Sequence, residues 1–284
     1  MIGKKTILGV GITDATRNEV LEYIIKNLQN FKKKLFIVTP NPEFLVLAHK
    51  NTDFKNILNK SDLASPDGIG ILMAAKFVGE PLKERFTGVD LMESLCREVA
   101  EKPITVGFLG GRAGVAEKTA DCLLKKYPGL KVAFVGEEWP SGDFARQPRI
   151  LEGPHLSNRG PVKSNPSHQG SSFASLRVHA VGSPSSFATP DDKNQIDILF
   201  VAFGAPKQEF WINENLDKIP VKVAIGVGGA FDYISNKIPR APTLVRSIGL
   251  EWLFRLAIQP WRLKRQLALI KFILLVFKEK LNKS

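Results

Sequence analysis

The sequence has few of the residues that build disulfide-stapled or metal-dependent domains. It contains two cysteines, Cys96 and Cys122, which excludes a disulfide scaffold and makes a cysteine-based zinc site improbable. It has no run of about 18 uncharged apolar residues, so no membrane-spanning helix is expected. The first residues lack the apolar stretch and small-residue cleavage site of a secretion signal. We therefore expect a protein of the reducing cytoplasm.

Acidic residues are in the minority, and the excess positive charge is concentrated near the C-terminal end. The 284 residues include 40 Lys and Arg against 28 Asp and Glu, for a net charge of +12, and 44% of them are hydrophobic. Residues 246–284, the basic C-terminal segment, hold nine Lys or Arg and two Glu and so contribute +7. The composition is that of a globular chain able to bury a sizeable core.

The basic C-terminal segment is also rich in large apolar side chains. A basic and apolar segment favours a membrane surface, whereas nucleic-acid-binding tails are usually basic and polar. An ordinary helix docked on the core, with solvated lysines, is the alternative. Spacings of four and three residues predict one apolar stripe on a helix that begins near Pro260. The stripe consists of Leu263, Leu267, Ile270, Leu274, Phe277 and Leu281.

Short apolar runs alternate with helical patterns along the rest of the chain. This alternation predicts an α/β fold with a mostly parallel sheet and helices on both faces. Predicted strands cover 5–12, 34–39, 62–65, 104–109, 131–135, 197–202 and 222–227, and the first predicted helix, 16–30, is capped by Asp14 or Thr13. Ligands of such sheets bind beyond the carboxyl ends of the strands. That rule selects five loops: 39–42, 66–68, 110–114, 203–209 and 228–232.

Residues 140–192 interrupt this pattern. Of these 53 positions, 22 are Pro, Gly or Ser, and apolar periodicity disappears. Such a composition cannot bury enough surface to offset chain entropy, so we expect a disordered insertion. Its three histidines lack the spacing of metal ligands. The expected domain organisation is a core over 1–245, interrupted by this insertion, and a C-terminal appendage over 246–284.

Several of the selected loops could carry chemistry, although each also has a purely structural interpretation. Gly110–Gly114 and Gly226–Asp232 could bring backbone N–H groups close to a phosphate, or serve only tight turns. Neither matches the dinucleotide fingerprint G-x-G-x-x-G. Asp67 lies in an ordinary turn sequence that could also present a general base. Thr39 and Asn41 could orient a sugar or simply end a strand.

Seven motifs taken together resemble one family, the bacterial WecG/TagA/CpsF glycosyltransferases. The resemblance covers roughly residues 5–139 and 195–270 and implies a Rossmann-like fold. The motifs are Thr39-Pro-Asn-Pro-Glu43, Pro66-Asp-Gly68, Arg85-Phe-Thr-Gly-Val-Asp90, Phe203-Gly-Ala-Pro-Lys-Gln-Glu209, Gly226-Val-Gly-Gly-Ala-Phe-Asp232, Arg240-Ala-Pro242 and Gly249-Leu-Glu-Trp-Leu-Phe-Arg255.

The resemblance implies a role for individual residues. Asp67 matches the family's proposed catalytic base. Thr39, which we also assign to the catalytic residues, matches a pocket position near the acceptor or the sugar. The C-terminal arginines Arg255, Arg262 and Arg265 would stabilise the leaving diphosphate, although Arg255 could instead pair only with Glu251 four residues earlier. The residues assigned to substrate binding are Asn41, Arg85, Lys207, Gln208, Gly228, Gly229 and Asp232.

The reaction implied by the resemblance is an inverting sugar transfer. N-acetylmannosamine, or a related sugar, would move from a UDP-sugar to an undecaprenyl-diphosphate-linked acceptor, as in teichoic acid synthesis. Neither a cofactor nor an obligatory metal is expected, because no Asp-x-Asp pair lies at a strand end. The partners would be the two substrates and the inner membrane surface, on which the protein would be peripheral. No nucleic acid is expected, and a homo-oligomer stays open.

Two other classes of protein remain as alternatives. A non-catalytic, membrane-associated scaffold would keep the basic C-terminal segment and a nucleotide-shaped cleft without needing Asp67. A soluble NAD-dependent enzyme is disfavoured, because neither glycine loop has the dinucleotide fingerprint. Thermal-shift screening separates the three, since UDP should stabilise the glycosyltransferase, NAD the dehydrogenase, and neither the scaffold.

Overall fold

The computed structural model describes residues 2–139 and 195–283, with the side chains at 262, 264–266 and 283 outside the description. The predicted disordered insertion at 140–192 lies outside the described residues. The described part is a Rossmann-like α/β fold, as predicted, with a six-stranded parallel sheet and helices on both faces.

The chain begins with an antiparallel hairpin that stands apart from the main sheet. Strand β1 (Gly3–Ile7) pairs with β2 (Val10–Asp14), and Ile7 faces Val10 across the turn. Leu8 and Gly9 both have positive φ, at 51° and 78°, which is the geometry of a tight two-residue hairpin turn. The prediction of one strand over 5–12 is therefore wrong. The apolar run hid the turn, because Ile7 and Val10 on either side of it are both fully buried.

The main sheet contains six parallel strands in the order β4-β3-β8-β7-β5-β6. Their bounds are β3 Leu35–Val38, β4 Leu63–Ala64, β5 Thr105–Gly110, β6 Lys131–Gly136, β7 Ile196–Ala202 and β8 Val221–Gly226. All seven residues of β7 are buried, as expected for a central strand covered on both faces. Because the strands are parallel, the loops after their carboxyl ends meet at one edge of the sheet.

Eleven α-helices belong to the described residues. They are α1 Arg17–Gln29, α2 Pro42–Lys50, α3 Thr52–Lys60, α4 Ile69–Phe77, α5 Gly88–Val99, α6 Val115–Lys126, α7 Lys207–Asn215, α8 Ala230–Ile234, α9 Thr243–Ser247, α10 Glu251–Ile258 and α11 Leu263–Lys283. Thr16, rather than Asp14 or Thr13, caps α1 in a capping box with Glu19. Asp14 ends β2 instead, where it pairs with Lys5 at 3.1 Å.

Two hydrophobic cores cover the two faces of the sheet. One core packs α1, α5, α6 and α8 against side chains such as Phe108 and Phe200. The other packs α2, α3, α4, α7 and the hairpin against the opposite face, with Phe54 fully buried at its centre. Helix α11 joins this second core through Phe272 and Val276, which are 2% and 5% exposed.

Helix α11 is apolar on two sides. Phe272 and Val276 face α2 and α4, so the helix docks on the core. The stripe predicted from spacing lies on the other side, and its six side chains are 52–76% exposed. No helix in the described ranges is both long and apolar enough to cross a membrane. The division of the chain at residue 245 stays a prediction, and α9 runs across it.

Candidate functional site

One large cleft opens at the carboxyl edge of the sheet. Its volume is about 1380 Å³, and each of the five loops selected from the sequence contributes to its wall. Helices α4, α10 and α11 close the opposite side. The predicted site residues that line it are Thr39, Asn41, Asp67, Arg85, Lys207, Gln208, Gly228, Gly229, Asp232 and Arg255. The sequence therefore predicted the location of the cleft, while the role of each residue stays a prediction.

Asp67 lies where β4 ends and α4 begins. Its backbone N–H donates to the carbonyl of Pro40 at 2.9 Å, which joins the loops after β3 and β4. Gly68, which follows, has a φ of 102° that only glycine adopts readily, and this conformation turns the chain into α4. Asp67 as a whole is half-buried, and it lines the cleft.

The surroundings of Asp67 favour its neutral form. Burial raises the pKa of Asp67 to about 7, and the nearby carboxylates of Glu251 and Asp90 add to the rise. The guanidinium of Arg85 and a hydrogen bond from the Gly88 N–H partly oppose it. A carboxyl group that changes charge near neutral pH, in contact with a cleft, has the property that a general base needs.

Two arginines hold the acidic neighbourhood of Asp67 together. Arg240 lies between Asp90, at 2.5 Å, and Glu251, at 3.5 Å, and so ties α10 to α5. Burial alone would raise the pKa of Asp90, but Arg240 and the Thr87 hydrogen bonds hold it below its usual range. Arg85 donates to the backbone carbonyl of Arg246 at 2.9 Å, which fastens the start of the basic C-terminal segment beside the cleft.

Thr39 and Asn41 serve the local structure with part of their polar groups. The hydroxyl of Thr39 donates to the carbonyl of Gly226 at 2.9 Å, across β3 and β8. Asn41 caps α2, because its side-chain oxygen accepts the Phe44 N–H at 3.2 Å. These bonds leave the lone pairs of the Thr39 hydroxyl and the amide nitrogen of Asn41 for a ligand. The structural role of both residues is thus shown, and their contact with a sugar stays a prediction.

Gln208 is fully buried, and its amide is bonded within the protein on both sides. Its oxygen accepts the N–H groups of Gly204, at 3.2 Å, and Gly228, at 3.1 Å. Its nitrogen donates to Glu209 at 2.6 Å. A Cβ at Gly226 would lie 2.8 Å from that nitrogen, so a larger residue there would displace the Gln208 amide. Gln208 therefore holds two loops of the cleft in place, and its predicted contact with substrate stays a prediction.

The glycine loops are less free to bind phosphate than their sequences suggest. The N–H of Gly228 is occupied by Gln208, as described above. In the other loop, Gly111 donates to the carbonyl of Ala202 at 3.1 Å and Gly114 donates to Glu137 at 3.0 Å. These bonds favour the structural interpretation of these three glycines. Lys207 is exposed at the start of α7, and Asp232 is half-buried in the first turn of α8.

Arg255 reaches from α10 across to the glycine loop after β8. A Cβ at Gly229 would lie 2.9 Å from its Nη2, so glycine makes room for the guanidinium. The guanidinium also stacks 4.8 Å from the centre of the Tyr233 ring. Among the described residues, the ion pair of Glu251 is with Arg240, so the Glu251–Arg255 pairing considered from the sequence is wrong.

For the other two C-terminal arginines, the structure describes only the backbone. The backbone of Arg262 ends a short 3₁₀ turn and that of Arg265 lies in the first turn of α11. Their side chains lie outside the described part, so their predicted contact with a diphosphate stays a prediction.

Sequence reasoning missed several residues of the cleft. Arg112 lines it from the loop after β5, and Tyr233 supports Arg255 from α8. Met73 and Phe77 extend the wall along α4. The position of Arg112 in a selected loop could have identified it. The aromatic and apolar residues gave no signal, because their spacing is the same as that of core residues.

Residues that could hold a metal ion are not gathered anywhere in the described ranges. Residues 2–139 and 195–283 contain no group of three or more His, Cys, Asp or Glu side chains in suitable positions. The charged groups that converge on the cleft are carboxyl, guanidinium and ammonium groups.

Comparison with known proteins identifies the class of this enzyme. Residues 5–152 and 192–284 match the glycosyl transferase WecG/TagA/CpsF family. The fold and the cleft at the carboxyl edge of its sheet are thus those of a glycosyl transferase. The chain belongs to the WecG/TagA/CpsF family, which confirms the resemblance carried by its seven motifs.

Individual relatives match almost the whole chain. Three of them bear the name N-acetylglucosaminyldiphosphoundecaprenol N-acetyl-beta-D-mannosaminyltransferase. The protein of Bacillus spizizenii is 29% identical over 274 residues, 96% of this chain and 91% of the relative. That of Bacillus subtilis is 27% identical over 280 residues, 99% and 93%. That of Staphylococcus aureus is 26% identical over 278 residues, 98% and 93%.

Proposed function

We propose that this protein transfers N-acetylmannosamine from a UDP-sugar to N-acetylglucosamine linked to undecaprenyl diphosphate, with inversion at the anomeric carbon. The names of its relatives specify this sugar and this acceptor. The observation that carries the proposal is the convergence of Asp67 and Arg255 on one cleft. A base and a cation are the two groups that such a transfer requires.

Asp67 is the general base of the proposed reaction. Its carboxylate takes the proton of the acceptor hydroxyl while that oxygen attacks the anomeric carbon. The new glycosidic bond forms on the face opposite the bond to the diphosphate. That older bond breaks, and UDP leaves with its electron pair. The transition state is oxocarbenium-like, as in glycoside cleavage. A pKa of about 7 leaves a substantial ionised fraction at neutral pH while keeping the base strong.

Arg255 is the group that stabilises the departing diphosphate. Its guanidinium lies against Gly229 in the loop after β8, where nucleotides bind in parallel sheets. Arg255 lines the cleft, and Glu251 on the same helix pairs with Arg240 instead, so the guanidinium has donor capacity left for a ligand. A planar guanidinium binds a diphosphate through paired hydrogen bonds. We infer that Arg262 and Arg265 add to this charge and that no metal ion is obligatory.

The exposed side of the C-terminal helices binds the membrane surface that holds the acceptor. Sixteen of the 17 large apolar side chains exposed in the described residues lie in α4 or between Leu244 and Leu281. They include Trp252 and Trp261, and tryptophan is favoured at the interface between lipid and water. The surrounding lysines and arginines add attraction to anionic lipids.

A transfer assay with the purified full-length chain tests the proposal. UDP release is measured with a panel of UDP-sugars, each with and without an acceptor that carries N-acetylglucosamine on a lipid diphosphate. We expect release that depends on acceptor and is fastest with UDP-N-acetylmannosamine, and NMR of the product should show inversion. If the acceptor does not increase UDP release from any of the sugars, although UDP still binds, the result would favour the non-catalytic scaffold. Activity abolished by EDTA and restored by a divalent cation would refute the metal-free mechanism.

A further inference from the structure

The large cleft has one end without charged groups. It runs between two helix faces, one on α4 and one on α11. The lining side chains of α4 include Ile69, Met73 and Phe77, and those of α11 include Ile273 and Phe277. Every described side chain that these two helices contribute to the cleft is apolar. We call this end the α4–α11 groove.

The groove starts at the reactive end of the cleft and leads to the surface. Helix α4 begins two residues after Asp67, and its nine residues extend about 12 Å from there. At the far end, the rings of Phe77 and Phe277 lie 4.8 Å apart. Met73 is 66% exposed and Ile273 is 47% exposed, although both line the cleft. An apolar ligand could therefore enter from outside and reach the base.

The groove does not fit the polar parts of the two proposed substrates. A sugar or a nucleotide needs hydrogen-bonding groups placed around it, and the described side chains of the groove offer none. It overlaps the exposed stripe of α11 only at Phe277, because Leu267, Leu274 and Leu281 do not line the cleft. What the groove offers is apolar surface adjoining the site of a diphosphate.

We infer that the α4–α11 groove binds the first isoprene units of the acceptor's polyprenyl chain. The inference rests on the proposed function, which puts an acceptor with a lipid tail in this cleft. With the acceptor hydroxyl at Asp67, the tail has to leave the polar end of the cleft, and the groove is an apolar path that leads out of it. Contact with the tail makes part of the lipid a specificity determinant rather than only an anchor.

The test compares two acceptors that differ only in the tail. Both carry N-acetylglucosamine on a diphosphate, one with a farnesyl chain and one with a propyl chain, in solution without vesicles. Phe77→Ser and Met73→Ser alter the groove, and Phe31→Ser is the matched control. Phe31 is 46% exposed against 42% for Phe77, but it lies outside the cleft. Thermal unfolding of each variant verifies that it is folded.

We expect the full-length protein to prefer the farnesyl acceptor, measured as the ratio of the two kcat/KM values. The groove variants should lower this ratio about tenfold, and Phe31→Ser should leave it unchanged. Transfer without any chain-length preference, or the same ratio of kcat/KM values in all variants, would overturn the proposed role of the groove. Either result would leave the proposed function intact. A change of oligomeric state in the groove variants that accounts for the loss would also overturn the role of the groove. Absence of transfer to both acceptors would overturn the proposed function as well.

Discussion

The two walls of the cleft are built on opposite principles. The wall at the sheet edge is buried and hydrogen-bonded, with Thr39 at 4% and Gln208 at 0% exposure. The wall made by α4 and α11 is apolar and open, with Ile273 at 47% and Phe277 at 52% exposure. The first wall holds reactive groups in fixed positions, while the second offers surface to a partner. The comparison teaches that precise chemistry and contact with a lipid phase are assigned to separate parts of one chain.

The largest effect should come from the sheet-edge wall, at Asp67. Asp67→Asn keeps the shape of the side chain but cannot take a proton. We expect kcat to fall about 1000-fold, the range for loss of a general base, while UDP affinity stays near that of the unaltered protein. Acceptor-dependent UDP release and calorimetric titration with UDP measure the two quantities. Near-normal turnover in this variant would remove Asp67 from the mechanism.

The pH dependence of the same variant gives an independent check. Because the base acts in its ionised form, kcat/KM should rise with pH through about 7, and Asp67→Asn should lack this rise. The folded protein holds this proton at higher pH than the unfolded chain does, so the stability contributed by Asp67 declines between about pH 4 and pH 7. Denaturant unfolding at several pH values should show a flatter profile for Asp67→Asn.

The next largest effect lies where the two walls meet, at Arg255. Arg255→Ala removes the cation beside Gly229, and we expect kcat/KM to fall about 100-fold. Arg97→Ala is the matched control, because Arg97 is exposed on α5 and does not line the cleft. An Arg255→Ala variant with unchanged kcat and a higher KM for acceptor alone would show that the arginine binds the acceptor instead.

A smaller effect should separate the two sides of α11. Replacing Leu267, Leu274 and Leu281 by Gln should weaken binding to anionic vesicles about tenfold without unfolding the chain, as measured by co-sedimentation and thermal unfolding. Phe272→Ala is the contrast on the buried side and should destabilise the protein by about 3 kcal/mol. Because the helix docks on the core through Phe272, deleting 246–284 would also remove core packing. The substitutions alter only the exposed side chains and so test lipid contact separately. Unchanged vesicle binding in the triple variant would exclude the stripe as the docking surface.

The smallest effect is expected at Glu209, beneath the sheet-edge wall. Burial raises its pKa to about 7, and its second oxygen has no hydrogen-bond partner among the described residues. Glu209→Gln is isosteric and should change the free energy of unfolding by less than about 1 kcal/mol below pH 7. Gln208→Ala leaves the Gly204 and Gly228 amides unpaired and should cost about 2 kcal/mol. If Glu209→Gln and Gln208→Ala lost the same free energy of unfolding, the charged form of Glu209 would be the one that stabilises the fold.

The sequence allowed prediction of the sheet and of the cleft's location for a simple physical reason. Parallel strands are covered on both faces, so β5, β7 and β8 are mostly apolar runs that stand out in the sequence. The loops after such strands meet at one edge, and all five selected loops line the cleft. The hairpin turn at Leu8–Gly9 was missed because the chain reverses direction there while the apolar run continues.

Side-chain partners could not be predicted, because they depend on contacts distant in sequence. Glu251 and Arg255 have the spacing of a helical ion pair, yet Arg240 competes for Glu251 from another segment. Gln208 lies in a loop that the sequence assigned to substrate, but the glycines at 204 and 228 bind its amide oxygen. The exposed stripe of α11 was predicted correctly as a stripe, while its orientation required knowing which side Phe272 and Val276 bury.

One contact links the hairpin turn to the last helix. The backbone N–H of Leu8 donates to the Glu279 carboxylate at 3.0 Å. If α11 lifts away from the core when vesicles bind, this amide loses its acceptor and its hydrogen exchanges with solvent deuterium sooner. If the helix stays docked and only its outer side meets lipid, the exchange rate at Leu8 stays the same. Hydrogen exchange at this single amide thus distinguishes a helix that leaves the core on binding lipid from one that stays docked.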